Sequence, residues 1–240
     1  MHYQPQFYLE DGTLSGVEAL VRWEHPEYGL IPPNQFIPLA EDIGLIYDLD
    51  GWVLNQACQQ LKAWEDQGLY VPHLSVNIAA VELEQDGLIE RTRTALDESG
   101  LAPSRLVLEL TESMLMRVPE RSISLLNGLH KLGVRIAIDD FGTGYSNLLY
   151  LCSLPLHILK IDQSFVRDIG TSTANESIIG AIVAMAHALE LDLVAEGIEH
   201  EKHRDFLMRV GCEIGQGFLL ARPMAPQHLF AQYTASLARP

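Results

Sequence analysis

The segment 134–145, V-R-I-A-I-D-D-F-G-T-G-Y, constrains the fold more than any other stretch of the chain. Its apolar, β-branched run is typical of a strand buried on both faces, as in a parallel sheet. The run stops at two adjacent carboxylates, Asp139 and Asp140, and a glycine-containing loop follows. Neighbouring carboxylates repel each other, and a divalent cation, which takes oxygen ligands, offsets that repulsion. An exposed acidic turn is the alternative interpretation of this pair.

The same arrangement recurs along the chain, in which predicted strands alternate with predicted helices. Each strand is apolar until its carboxyl end and then presents a polar side chain: Asn77, Glu109, Asp139 with Asp140, Lys160 with Asp162, and Glu196. Barrel enzymes collect catalytic groups from such strand ends at one face, whereas an open sheet strings them along an edge. We therefore predict an α/β fold, a TIM-type (β/α)8 barrel, formed by a single domain over residues 1–240.

Local signals between the strands are less regular. Three prolines and a Tyr-Gly pair predict a loop over residues 26–34. Apolar residues at or near helical spacing predict helices over residues 36–46 and 49–67. The last strand and its turn are predicted over residues 212–217.

The composition excludes some classes of function. The formal charge is −16, which argues against binding of DNA or RNA polymers because these need a basic surface. A small anionic ligand is still compatible, provided that metal ions or an arginine compensate locally. No apolar run approaches the length of a membrane span, so no membrane contact is expected of this domain. Three widely spaced cysteines, Cys58, Cys152 and Cys212, predict reduced core thiols in a cytoplasmic protein.

If the strand ends converge, one pocket collects an unusual set of polar groups: Glu109, Asp139, Asp140, Glu196, Asn77 and Lys160, with Glu18 added from the second strand. So many carboxylates cannot all ionise in one pocket without compensating positive charge. Oxygen ligands suit Mg²⁺, Mn²⁺ or Ca²⁺ and argue against zinc or copper. Two ions about 3.5–4 Å apart are the arrangement used for phosphoryl displacement. Taken singly, each acidic residue is more often a helix cap or an ion-pair partner.

An ordered set of motifs accompanies these residues over essentially the whole chain. They are Tyr3-Gln4-Pro5, Glu18-Ala19-Leu20 with Val21-Arg22-Trp23, Ser75-Val76-Asn77, Glu109-Leu110-Thr111-Glu112, Asp139-Asp140-Phe141-Gly142, Lys160-Ile161-Asp162, Ala195-Glu196-Gly197 and Gln216-Gly217-Phe218. This set resembles the EAL-domain family of bacterial cyclic-di-GMP phosphodiesterases. The resemblance implies a barrel whose first strand is antiparallel to the others. It also implies hydrolysis of cyclic di-GMP to linear 5'-pGpG with two Mg²⁺ or Mn²⁺ ions, and inhibition by Ca²⁺.

The resemblance also assigns roles to individual residues. One metal is expected on Glu18, Asn77, Glu109 and Asp139, and the second on Asp139, Asp140 and Glu196. Glu196 is alternatively a general base, and Lys160 is expected to orient the attacking water. The substrate contacts are expected to be Gln4, Leu20, Arg22 and Gln216. Supporting residues that hold the ligands or the following loop are expected to be Glu112, Asp162 and Glu199.

Three further expectations follow from the resemblance. A homodimer is expected to form through the barrel face near the loop at residues 141–145. The domain is expected to belong to a longer multidomain signalling protein, whose other parts could anchor it to a membrane. Two alternatives to catalysis remain at this point, namely a receptor that binds cyclic di-GMP without cleaving it, and a protein-interaction domain. The filled ligand positions favour catalysis over both.

Overall fold

The structure is a computed structural model, and it describes residues 1–117, 119–142 and 148–237. The predicted loop that follows Gly142, and with it most of the predicted dimer face, lies outside the described residues. The strands of the described chain are β1 (His2–Tyr8), β2 (Leu14–Leu20), β3 (Trp23–His25), β4 (Gly29–Ile31), β5 (His73–Asn77), β6 (Leu106–Thr111), β7 (Arg135–Phe141), β8 (Ile158–Ile161), β9 (Asp192–Ala195) and β10 (Ile214–Gly215).

Helices alternate with the strands of the sheet. Those described are α1 (Pro33–Asp42), α2 (Ile46–Asp66), α3 (Val81–Glu84), α4 (Leu88–Ser99), α5 (Glu112–Arg117), α6 (Pro119–Leu132), α7 (Leu148–Leu151), α8 (Gln163–Arg167), α9 (Thr173–Ala188), α10 (Glu201–Val210) and α11 (Pro226–Leu237). A short 3₁₀ turn, Pro103–Arg105, precedes β6. None of the helices in the described part of the chain has the length and apolar character needed to cross a membrane.

Eight strands close into a barrel in the order β1-β10-β9-β8-β7-β6-β5-β2. β1 is antiparallel to both of its neighbours, and the other adjacent pairs are parallel. The predicted TIM-type barrel and its antiparallel first strand are therefore confirmed. The predicted loop at residues 26–34 is partly wrong, because it contains β4, which pairs with β3 in a small hairpin outside the barrel.

Strands β6, β7, β8 and β9 are apolar on both faces over most of their length, which explains their nearly continuous apolar sequences. Their outward side chains join the helices in one large core that includes Ile136, Ile138, Leu159 and Leu193. A second, separate cluster holds one residue from each of five consecutive strands: Val107, Ala137, Ile158, Val194 and Ile214. This second cluster fills the inside of the barrel, because side chains alternate between the two faces of a strand.

The same alternation positions the candidate site. Two residues beyond each member of the inner cluster come Glu109, Asp139, Lys160, Glu196 and Gln216. They form the next inward layer, at the mouth where the parallel strands end. The ladder also continues past the last two strands, since the Glu196 N–H donates to the Ile161 carbonyl at 3.1 Å and the Gln216 N–H to the Ala195 carbonyl at 2.8 Å.

The cysteines agree only partly with the prediction. Cys58 and Cys212 are buried free thiols, whereas Cys152 is free and exposed. Burial raises the pKa of both buried thiols to about 12, so they are inert apolar groups. The expectation of a core position was wrong for Cys152, which follows the short helix α7.

Candidate active site

Lys160 lies at the centre of the barrel mouth with 1% of its surface exposed. Its Nζ lies 2.6 Å from Glu109 Oε2 and 2.7 Å from Glu196 Oε1. Asp139 Oδ1 is 3.4 Å away and Glu18 Oε2 3.7 Å away. Burial opposes the charged form of the lysine, but these four carboxylates outweigh burial and raise its pKa well above the ordinary value. Lys160 is therefore a permanent ammonium that gathers side chains from four other strands or strand ends.

One ammonium does not neutralise this cluster. Burial raises the pKa of Glu109 well above its usual range, against the opposing effect of Lys160. Burial likewise raises the pKa of Glu196 to about 8, again against Lys160, and Asp139 and Glu18 add to the rise by repulsion. Both carboxyl groups thus resist ionisation mainly because they are buried, even with the Lys160 ammonium beside them. Additional cationic charge would therefore be accommodated favourably at this mouth.

A bulge in β7 brings Asp139 and Asp140 to the same side. The β7–β8 register shifts by one residue between Ile138 and Phe141, so two residues of β7 face one residue of β8. Asp140 has φ of +54°, a left-handed conformation that aspartate tolerates better than most residues. In a regular strand the two carboxylates would point to opposite faces. Here oxygen atoms of Asp139, Asp140 and Glu196 all lie within 4.8 Å of one another.

Asp140 and Asp162 are neighbours at this edge of the mouth. Burial raises the pKa of Asp140 to about 6, and repulsion from Asp139 and Asp162 adds to the rise. Asp162 also caps α8, where its Oδ1 accepts the Ser164 N–H at 3.0 Å. The cap holds Asp162 in place next to Asp140.

Amide side chains complete the opposite side of the mouth. Asn77 Nδ2 donates to Glu18 Oε1 at 2.7 Å, and Gln216 Nε2 donates to Glu18 Oε2 at 2.6 Å. Gln216 Nε2 also donates to Gln4 Oε1 at 3.0 Å. Both oxygens of Glu18 are thus held by amides, which orients the carboxylate toward Lys160.

Gln6 belongs to this amide group, although the sequence motifs did not single it out. It is 5% exposed, and its Nε2 donates to Gln216 Oε1 at 2.9 Å. That bond turns the Gln216 amino group toward Glu18 and Gln4. The signal that could have found Gln6 is the two-residue period of β1, which places Gln4 and Gln6 on the same face.

The predicted substrate contacts Leu20 and Arg22 lie beside the cluster. They line a cavity of about 260 Å³ together with Asn77, Asp50 and Met114. The Arg22 guanidinium is half-buried, and its Nη1 donates to the Val21 carbonyl at 2.8 Å. The structure therefore places an arginine next to, but not within, the group of carboxylates.

Two predicted supporting glutamates differ in their surroundings. Glu112 is buried, and its Oε2 accepts the Gly142 N–H at 3.2 Å, which ties the start of the loop after β7 to α5. Glu199 is exposed, and its backbone N–H donates to His203 Nδ1 at 3.4 Å. Among the described contacts, none joins the Glu199 carboxylate to the cluster. The structure thus brings Glu112 to the site and leaves Glu199 at the surface.

A barrel mouth with one lysine, five carboxylates and several amides offers oxygen ligands of the kind that metal-dependent barrel enzymes use. Comparison with known proteins gives the family. Residues 1–223 match the EAL domain, and the chain belongs to this family, as its motifs predicted.

The chain is similar to several longer bacterial proteins. It is 48% identical over 231 residues to MucR of Pseudomonas aeruginosa, a bifunctional diguanylate cyclase/cyclic di-GMP phosphodiesterase, covering 96% of this chain and 34% of MucR. It is 46% identical over 224 residues to the cyclic di-GMP phosphodiesterase NbdA of the same organism, covering 93% of this chain and 29% of NbdA. The chain thus spans about a third of the length of these curated relatives.

Solved structures agree with this relationship. The PaMucR phosphodiesterase in complex with c-di-GMP superposes with a TM-score of 0.92 at 48% identity, covering 95% of this chain and 92% of that one. The EAL domain of Pseudomonas aeruginosa FimX bound to c-di-GMP superposes with a TM-score of 0.85 at 26% identity, covering 94% and 90% of the two chains.

Proposed function

We propose that this chain is a metal-dependent phosphodiesterase that hydrolyses cyclic di-GMP to linear 5'-pGpG. The observation that carries the proposal is the buried Lys160 ammonium among four carboxylates, at the strand ends of a barrel. The relatives indicate the identity of the substrate, since MucR and NbdA are named as cyclic di-GMP phosphodiesterases. The reaction adds water across one phosphodiester bond. The water oxygen joins phosphorus, the 3'-oxygen leaves as a hydroxyl, and the opened product carries a 5'-phosphate.

The donor set fits two hard divalent cations, Mg²⁺ or Mn²⁺. Its members offer only carboxylate and amide oxygens, and four of the carboxylates surround a single ammonium, that of Lys160. Glu18, Asn77, Glu109 and Asp139 would hold one ion, and Asp139, Asp140 and Glu196 the other. When bound, such ions lower the pKa of water and stabilise negative charge on phosphate oxygens. Ca²⁺, which is larger and accepts looser geometry, is proposed to inhibit.

Residues of the chain itself are proposed to orient the attacking water and to accept its proton. Glu109 and Glu196 hold the Lys160 ammonium in place. The remaining N–H of the ammonium therefore has a fixed direction and can hold the attacking water by a hydrogen bond. Glu196 is proposed as the carboxylate that takes the proton from this water, in addition to its role as a ligand. Its Oε1 lies 2.7 Å from Lys160 Nζ, beside the position proposed for this water.

Recognition of the substrate is proposed to use the opposite side of the mouth. Arg22 lies beside the cavity that adjoins Asn77, where its guanidinium can pair with a phosphate. Leu20 gives this cavity an apolar wall. Gln4 and Gln216 present amides next to Glu18 and are proposed to contact the nucleotide.

The wider setting is also a proposal. We place this domain in the cytoplasm, supported by free thiols at Cys58, Cys152 and Cys212. We propose that it works within a longer signalling protein, as its relatives are about three times its length. A homodimer through the face at residues 141–145 is proposed as well, supported by the Glu112–Gly142 hydrogen bond that would link such a face to the metal site.

A paired substitution tests the catalytic proposal. Lys160→Met removes the central ammonium, and Lys131→Met removes an exposed lysine at the end of α6 as a matched control. Binding of cyclic di-GMP in the presence of Ca²⁺ is measured by calorimetry, and cleavage with Mn²⁺ by chromatography. We expect Lys160→Met to bind substrate but to lose at least about 100-fold in turnover, while Lys131→Met behaves as the native chain. Tight binding without cleavage by the native chain would instead identify a receptor.

A further inference from the structure

Within the part of the chain that the structure describes, exposed apolar side chains are concentrated outside the candidate active site. Of twelve large apolar side chains that are exposed in the described chain, seven fall within residues 23–52: Trp23, Tyr28, Leu30, Leu39, Ile43, Leu45 and Trp52. Solvent-exposed apolar side chains scattered singly are ordinary, but a contiguous group marks an interaction surface.

Five of these side chains line one groove. Trp23, Leu39, Ile43, Leu45 and Trp52 are between 41% and 65% exposed, and they surround a cavity of about 330 Å³. The groove runs between β3, the end of α1 and the start of α2. Helical spacing explains the alignment, because Leu39 and Ile43 are four residues apart on or next to α1. Leu45, Leu49 and Trp52 follow the same spacing into α2.

The groove has an acidic rim, and Arg22 is the one cation among its lining residues. Residues 23–52 contain no lysine or arginine and six acidic residues. The exposed ones are Glu24, Glu27, Glu41, Asp42 and Asp48. Asp42 lies three residues beyond Leu39, and Asp48 three residues beyond Leu45, so both flank the apolar line on the helix surface. A second copy of this chain would set acidic rim against acidic rim, which disfavours self-association here.

We infer that this groove, defined by Trp23, Leu39, Ile43, Leu45 and Trp52, is a docking site for a basic amphipathic helix of a partner segment. Apolar anchors spaced three to four residues apart enter the groove, and lysines or arginines on both flanks meet the acidic rim. The complementary charges orient the helix and speed its association, and the apolar anchors hold it.

The groove has a physical connection to the candidate active site. Arg22 lines the groove and also the cavity that adjoins Asn77, and Val21 and Leu49 are shared by the same two cavities. A helix seated in the groove therefore packs against the arginine proposed to bind phosphate. We expect occupancy to change the KM for cyclic di-GMP more than kcat, and this part of the inference rests on the proposed function. The docking of the helix in the groove does not depend on the proposed function.

The tryptophans provide a direct readout. The chain has three tryptophans; Trp23 and Trp52 line the groove, whereas Trp64 is 1% exposed. The probe is an 18-residue peptide with leucines at positions i, i+3, i+4 and i+7 and lysines elsewhere, titrated into the intact chain. The controls are a permuted peptide of the same composition without an apolar face, and the same pattern with glutamates in place of lysines. Acrylamide quenching of the native chain reports shielding of the two groove tryptophans.

Two matched variants separate docking from general charge attraction. Ile43→Glu puts a carboxylate in the groove, and Ile178→Glu makes the same change at an exposed position on α9. We expect saturable binding of the lysine peptide, shielding of tryptophan from acrylamide, and a loss in affinity of about tenfold or more in Ile43→Glu only. Equal affinity for the permuted peptide, or equal loss in both variants, would overturn the inference. So would a dimer in light scattering that Ile43→Glu dissolves, because a second copy would then be the occupant.

Discussion

The raised pKa of Glu196 makes a quantitative prediction about stability. Burial, and repulsion by neighbouring carboxylates, raise its pKa in the folded chain from 4.5 to about 8. The unfolded chain releases this proton at the lower value, so folding stability due to this group is intact below pH of about 4.5 and declines as the pH rises through 8. Each unit of pKa difference corresponds to about 1.36 kcal/mol. The metal-free native chain therefore loses roughly 4 kcal/mol at pH 8 through Glu196.

Replacing Glu196 by glutamine removes this loss of folding stability and keeps an oxygen that can accept a hydrogen bond from Lys160. With EDTA at pH 8 we expect Glu196→Gln to be more stable than the native chain by about 3 kcal/mol, or roughly 6–12 °C in Tm for a chain of this size. At pH 5 the gain should fall below about 1 kcal/mol. The same variant should lose cyclic di-GMP hydrolysis, because the proposed ligand and base is gone.

Thermal unfolding followed by circular dichroism in EDTA, at pH 5 and pH 8, measures this effect. Glu120→Gln, an exposed position at the start of α6, serves as the control and should shift Tm little at either pH. Adding Mn²⁺ should stabilise the native chain more than Glu196→Gln, because a ligand that binds only the folded state raises its stability. A Glu196→Gln chain that is no more stable than native at pH 8, or equally stabilised at both pH values, would refute the reasoning.

Three further substitutions test single features of the site. Glu112→Ala removes the acceptor of the Gly142 N–H and should weaken Mn²⁺ binding and turnover while the chain remains folded; unchanged affinity and turnover would contradict a link between this loop and the metal site. Asp140→Asn keeps a residue that tolerates φ of +54°; in EDTA above pH 6 it should raise Tm, because it removes a carboxylate whose pKa burial and repulsion raise to about 6, and it should reduce Mn²⁺ affinity by about tenfold or more, as calorimetry would show. Gly217→Ala places a Cβ 2.2 Å from the Ile198 backbone and should destabilise the fold by about 2 kcal/mol or more; an unchanged urea midpoint would argue against this close packing.

The sequence predicted the barrel because its signals are local and periodic. Apolar strands ending in a polar side chain are visible without coordinates, and Lys160 and Glu109 needed only a closed topology to meet. The antiparallel first strand came from the family resemblance, since the spacing of apolar residues does not contain strand direction.

What the sequence missed depends on contacts between distant segments. Gln6 contacts Gln216, 210 residues away; the two-residue period of β1 puts Gln6 on the same face as Gln4 but does not reveal this partner. The bulge that turns Asp139 and Asp140 to one side arises from the register between β7 and β8. The β3–β4 hairpin was missed because prolines and glycine outweighed its short apolar segment. Glu199 was expected at the site by analogy, yet its position after β9 leaves it exposed.

The reaction proposed for this chain is the metal-dependent opening of a phosphodiester of cyclic di-GMP by water. The most direct test incubates the purified chain with cyclic di-GMP in ¹⁸O-labelled water, with Mn²⁺ or with EDTA, and analyses the nucleotides by mass spectrometry. We predict linear pGpG with one ¹⁸O atom on its 5'-phosphate, formed only when Mn²⁺ is present. Cyclic di-GMP that stays bound and intact with Mn²⁺, or pGpG that forms equally in EDTA, would contradict a metal-dependent hydrolysis.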